Sequence, residues 1–277
     1  MPDPAGTLER RLLSRADFEV IPMASVIDKV AAIPSGSTVS VIASPRRGIE
    51  PTIEVAVALQ AKGYRTVPHL AARLVVDRHE LSSIIERLDD AGVGQVFVVG
   101  GDGEPDGDYP DALSLLVDMA TVGHPFVEVG IAGYPEGHPE IPDAVLQQAL
   151  LDKQPLASYV VTQMCFDAGA IVNWVREMRT ADLHLPIRVG VPGAVEGSRL
   201  LSMGARIGVG ESMRYLAKSR GGILRLAVPG RYHPDGMISQ LARNGGDLGL
   251  EGIHLFTFNQ VEATVGWHRR ARDKAGS

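Results

Sequence analysis

The chain has 277 residues, 45% of them hydrophobic and 22% charged, and a formal net charge of -6. This composition belongs to a globular protein with material for a sizeable core, not to a disordered or fibrous one. The acidic balance and the lack of a long basic run exclude a backbone-tracking nucleic-acid binder. The one basic cluster, His268-Arg269-Arg270-Ala271-Arg272, reads as a solvated helix end. Cys165 is the single cysteine, which rules out an internal disulfide, a CxxC redox pair and a cysteine zinc site, and fits a reducing compartment. Neither a basic leader followed by an apolar stretch nor an apolar run of about 18 residues occurs, so a cytoplasmic, membrane-free protein is expected.

Short apolar runs alternate with longer amphipathic stretches. The runs are Phe18 to Ile21, Thr38 to Ala43, Val67 to Ala71, Gln95 to Val99, Phe126 to Ala132, Tyr159 to Met164, Ile187 to Val191 and Gly252 to Phe258. Between the first seven lie Ala24 to Ala32, Ile53 to Ala61, Glu80 to Ala91, Pro110 to Ala120, Ala144 to Lys153 and Ala168 to Arg179, each suited to one helix. The longer gap before the eighth run holds Ser198 to Ala205, Glu211 to Ser219 and Pro234 to Asn244, and a last helix is predicted from Asn259 as N-cap. Runs such as Val96 to Val99 are apolar throughout, as parallel strands covered on both faces are. Eight such units without a linker predict a single-domain (β/α)8 barrel over residues 1–277, with a short N-terminal extension and a basic C-terminal tail. A doubly wound sheet is disfavoured because Phe18 to Met23 carries no glycine turn, and Gly208-Val209-Gly210 is only a weak fingerprint.

In such a barrel, chemistry sits where strands end. Glu19 lies in an otherwise apolar strand, where a carboxylate must face the barrel mouth; apolar surroundings raise a carboxyl pKa, which suits a general acid. A surface glutamate on a short strand is the plainer reading. Asp102 follows Gly100-Gly101, where backbone can approach a ligand closely, though the stretch to Asp108 is also full of turn formers. His69 closes the third run and could equally be a hydrogen-bonded core histidine. His138 belongs to a polar loop, Tyr134 to Glu140, whose course two prolines fix. His69, Asp102 and His138 show neither HxH nor HExxH spacing, so no metal is expected. No lysine falls at a strand end, which argues against Schiff-base chemistry.

Phe18-Glu19, Val39-Ser40-Val41, Pro68-His69-Leu70, Gly101-Asp102, Gly133-Tyr134-Pro135-Glu136-Gly137-His138-Pro139-Glu140, Thr162-Gln163-Met164-Cys165-Phe166-Asp167 and His254-Leu255-Phe256-Thr257-Phe258-Asn259 together resemble, in order, the methylenetetrahydrofolate reductases. The resemblance implies a (β/α)8 barrel that reduces 5,10-methylenetetrahydrofolate to 5-methyltetrahydrofolate, a methyl donor toward methionine, with reducing equivalents from NAD(P)H passing through FAD. It implies Glu19 as general acid, Asp102 beside pterin and flavin, and Gln163 on the pterin. His69, Gly101, Ala132, Tyr134 and His138 would line the cofactor pocket. Leu200 or Leu201 falls where the family stacks a phenylalanine on folate, with Phe258 also on the substrate side.

The departures concern the flavin. Ile42 stands where the family has a threonine, Gly100 where it has a phosphate-holding arginine, Leu146 near its ribityl-binding aspartate and Gln260 at a last-strand arginine, while Lys153 falls near its phosphate-binding lysine. A charge-assisted hydrogen bond contributes about 1.5–3 kcal/mol and a neutral one about 1 kcal/mol, so losing both points against tight FAD binding. In this the chain resembles a divergent actinobacterial branch that works without flavin, and NADH is the expected hydride donor. A flavin-dependent reductase and a non-catalytic folate or nucleotide binder are the alternatives.

Overall fold

The computed structural model describes residues 4–196 and 232–276. Eight parallel strands close in sequence order: β1 (Ala16–Val20), β2 (Thr38–Val41), β3 (Arg65–Ala71), β4 (Gln95–Val99), β5 (Glu128–Gly133), β6 (Tyr159–Thr162), β7 (Ile187–Pro192) and β8 (Leu250–Phe256). The described helices are α1 (Pro4–Ser14), α2 (Val26–Val30), α3 (Glu50–Gln60), α4 (Arg78–Asp90), α5 (Ala112–Val122), α6 (Asp143–Lys153), α7 (Ala168–Thr180), α8 (Asp235–Asn244) and α9 (Val261–Gly276). The predicted (β/α)8 barrel is therefore the observed one. The helical stretches proposed at Ser198 to Ala205 and Glu211 to Ser219 lie outside the described residues.

Alternation along each strand splits the core in two. Phe18, Val20, Val39, Val41, Val96 and Val98 join the large cluster beneath the helices, whereas Val67, Phe97, Tyr159 and Val161 form a separate cluster within the barrel. Below that inner cluster, Arg188 bonds Asp17 (3.1 Å) and Glu128 (2.7 Å), with its guanidinium 3.7 Å from the Tyr159 ring centre. Burial opposes the Arg188 charge, but Asp17, Tyr159 and Glu128 outweigh it and raise the pKa. Gly190 leaves the room that closure requires: a Cβ there would stand 2.1 Å from the Thr162 carbonyl oxygen.

Three expectations change. The stretch read as an N-terminal extension contains α1, whose Leu8, Leu12 and Leu13 are buried. His268, read as part of a solvated end, is itself buried and bonds the Leu13 carbonyl (2.7 Å), while Arg269, Arg270 and Arg272 are exposed. Asn259 is not an N-cap. It sits at φ 56°, and its side chain clamps strand backbone, accepting from Ile21 N–H (2.9 Å) and donating to the Ile21 carbonyl (3.0 Å). The helix starts two residues later, at Val261, so Asn259 lies before its first turn.

Candidate active site

Register brings Glu19 opposite Ser40 on one side and Phe256 on the other. Glu19 shares the inward parity of Asp17, one layer nearer the strand ends, and its side chain is 12% exposed. Its Oε2 lies 3.1 Å from His254 Nε2, and Thr257 Oγ1 donates to its carbonyl oxygen (2.6 Å), fixing backbone and side chain together. His69, on β3, has Nε2 2.8 Å from Ser40 Oγ and its ring centre 4.7 Å from that of Phe97. Burial, and secondarily the His254 charge, hold the His69 pKa well below the ordinary imidazole value, so this ring is neutral. One ligating atom from each of Glu19, His69 and His254 lies within 4.8 Å of the others, a spacing a metal could exploit with small rotations. Each is already engaged by hydrogen bonding, Glu19 with His254 and His69 with Ser40.

The other strand ends build the mouth around this base. After β4, Gly101 adopts φ 90° with its would-be Cβ 3.2 Å from Ala71 Cβ, and Gly100 faces open space. Arg73 pins this loop, its backbone N–H donating to the Gly100 carbonyl (3.0 Å) and its side chain to the carbonyls of Gly103 (2.9 Å) and Pro110 (2.9 Å). Asp102, on the loop so held, is close enough to Tyr134 that its charge adds to burial in raising the phenol pKa. Tyr134 in turn meets His138 edge to face at 5.6 Å. Ile42 continues the ladder past Val41, donating its N–H to the Val20 carbonyl (3.1 Å), and is half-buried on the inward parity of Ser40. Ala132 packs on the inner apolar cluster. Gln163 spends its side-chain oxygen on Met164 N–H (2.9 Å). Phe258 joins Phe256 and Tyr232 against buried Met164, Phe166 and Val195, an apolar wall at the ends of β6 to β8. Lys153 ends α6 and is buried, which lowers its pKa. Leu200 lies outside the described residues.

Sequence reasoning thus named Glu19 and His69 separately but gave His254, Ser40 and Thr257 no role. The available signal was parity: His254 and Phe256 share one face of an apolar strand, and a histidine on that face enters the barrel.

The methylenetetrahydrofolate reductase family profile matches residues 21–196, a span that takes in His69, Asp102, Tyr134, His138 and Gln163 and leaves out Glu19 and His254. Methylenetetrahydrofolate reductase 2 of Saccharomyces cerevisiae is 28% identical over 152 residues, half of this chain and 25% of the yeast protein. Methylenetetrahydrofolate reductase 1 of Schizosaccharomyces pombe is 26% identical over 122 residues, 40% of this chain and 20% of that one. The matched part is thus a quarter or less of these relatives. Among solved structures, an uncharacterized protein from Clostridium thermocellum that binds two copies of 5-methyl-5,6,7,8-tetrahydrofolic acid superposes with a TM-score of 0.64. That likeness covers 97% of this chain and 98% of that one at 12% identity, and is one of fold. The family profile covers well over half the chain and runs through six consecutive barrel strands, β2 to β7, with the loops that close the mouth, and on that ground the chain belongs to the methylenetetrahydrofolate reductase family.

Proposed function

We propose that this protein reduces 5,10-methylenetetrahydrofolate to 5-methyltetrahydrofolate with NAD(P)H, NADH being preferred, by hydride transfer between two substrates bound together. The observation that carries the reading is Glu19, a carboxyl group 12% exposed at the base of the mouth and held by its own histidine. Opening the imidazolidine ring requires a proton at N10: as the methylene carbon–N10 bond breaks, N5 becomes an iminium, and hydride from nicotinamide C4 then forms the methyl group. In this reading Glu19 gives that proton, and Asp102 is the anion that favours the transient cation.

The residues at the flavin positions fit that cofactor poorly. Ile42 offers no hydroxyl and Gly100 no guanidinium, so no step is routed through a flavin. The NADH preference is checked by comparing NADH with NADPH at limiting concentration; a strong preference for NADPH would overturn it. No described helix is long and apolar enough to cross a membrane, and the buried free thiol of Cys165 suits the cytoplasm. A flavin-dependent reductase would share Glu19, whereas a pure folate binder has no need of an acid there. In an assay of NADH oxidation with methylenetetrahydrofolate, Glu19→Gln is expected to lose about 10²–10⁴-fold in rate with folding intact. Turnover near the wild-type rate would remove Glu19 from the mechanism, and no turnover by the wild type would favour the binder.

A further inference from the structure

To serve N10, the Glu19 carboxyl must be held in one orientation at the base of the mouth, where 12% of its side chain is exposed. The structure supplies one partner from inside the barrel wall. His254 is 4% exposed, Nε2 lies 3.1 Å from Glu19 Oε2, and its ring packs between Phe256 (centres 5.1 Å apart) and His69 (6.3 Å). We propose that His254 is a positioning residue that holds the Glu19 carboxyl in the orientation from which it serves N10; this rests on the reductase reading above.

The surroundings select His254 over His69 for that role. The titratable and charged groups near the pair are Glu19 itself from β1, His69 from β3, and the Asp17, Glu128 and Arg188 group one layer below. Strand β7 presents Gly190 in register with His254, and its one charge, Arg188, lies a layer below. His69 has spent Nε2 on Ser40 and is kept neutral by burial and by His254. Arg188 is committed to Asp17 and Glu128. Among the described residues, His254 is the side chain hydrogen-bonded to the Glu19 carboxyl.

The test compares wild type, His254→Gln and His254→Ala across pH, with NADH and methylenetetrahydrofolate as substrates. For His254→Gln the expected result is a kcat loss of about 10²-fold at neutral pH. KM for folate should stay within about threefold, since only a step after binding is affected. Added imidazole should restore part of the His254→Ala rate, and 4-methylimidazole should do so too. Rescue by neither base assigns His254 a merely structural role and overturns the proposal; so does unchanged turnover. A wild type without NADH turnover overturns the reductase reading itself, an outcome distinct from any of these.

Discussion

Ile42 and Gly100 stand where the resemblance expects flavin-holding side chains, and Gly100 is the position where that proposed difference can be reversed. Its φ lies outside the left-handed region and a Cβ there meets nothing within 4 Å, so a side chain can start from it without backbone strain. Restoring a neutral hydrogen bond of about 1 kcal/mol and a charge-assisted one of about 1.5–3 kcal/mol should tighten FAD binding by about 10²-fold. The Ile42→Thr, Gly100→Arg double variant is therefore expected to quench added FAD fluorescence at far lower protein concentration than the wild type. Equal quenching would show that these two donors do not decide flavin affinity. The next residue cannot take a side chain as easily. Gly101 is at φ 90° with Ala71 Cβ 3.2 Å from its own would-be Cβ, so Gly101→Ala should cost about 1–2 kcal/mol of stability by chemical denaturation. Glu19 was legible in the sequence because a carboxylate in an apolar strand is chemically conspicuous. His254 was not, since an imidazole in such a strand is compatible with either face until β8 is set in register between β7 and β1.

Elements were legible where local chemistry and tertiary packing agree. Asp77, Asp111 and Asp167 each cap a helix by accepting a backbone N–H from the first turn, and α4, α5 and α7 begin close to where periodicity placed them. The N-terminal helix was overlooked because Pro2, Pro4 and Gly6 read as a tail, although proline suits a first helical turn. Leu8, Leu12 and Leu13 give α1 the apolar stripe that packs it against α8, α9 and β8. The β8–α9 connection misled for a different reason. Asparagine tolerates left-handed backbone and also competes for neighbouring main-chain groups, and here it does both. Its two bonds to Ile21 tie the end of β8 to the residue two beyond Glu19. Asn259→Gly keeps the backbone freedom and removes the clamp, whereas Asn259→Ala removes both. Losing the clamp should cost about 1–3 kcal/mol in each variant, with alanine lower by a further 1 kcal/mol or so. Activity should fall with stability, and a clamp that matters only to the helix start would leave NADH turnover untouched.

At the scale of the molecule, burial of neutral histidines couples the fold to pH. His69 and His268 both have pKa values lowered by desolvation, the first well below the ordinary value. Their stabilising effect is complete above the unfolded value of about 6.5 and is lost as pH falls toward the folded values, because the unfolded chain binds protons that the fold refuses. Each ring that stays neutral below that point costs up to about 1.4 kcal/mol per pH unit. Urea midpoints should therefore drop between about pH 7.5 and 5.5, and a flat profile would contradict the burial argument. The proposed flavin-free reduction also sets how two substrates would share one mouth. A relay through a tightly held redox group lets NADH react and depart before folate arrives, giving parallel double-reciprocal lines. If no flavin is held beside Ile42 and Gly100, as proposed, the nicotinamide and pterin must be present at once, with reacting atoms about 3–3.5 Å apart. Intersecting initial-rate patterns are then expected, together with deuterium passing from C4 of labelled NADH into the methyl group without dilution by solvent. Parallel lines accompanied by stimulation from added FAD would reverse this reading and return the chain to the flavin-dependent members of its family.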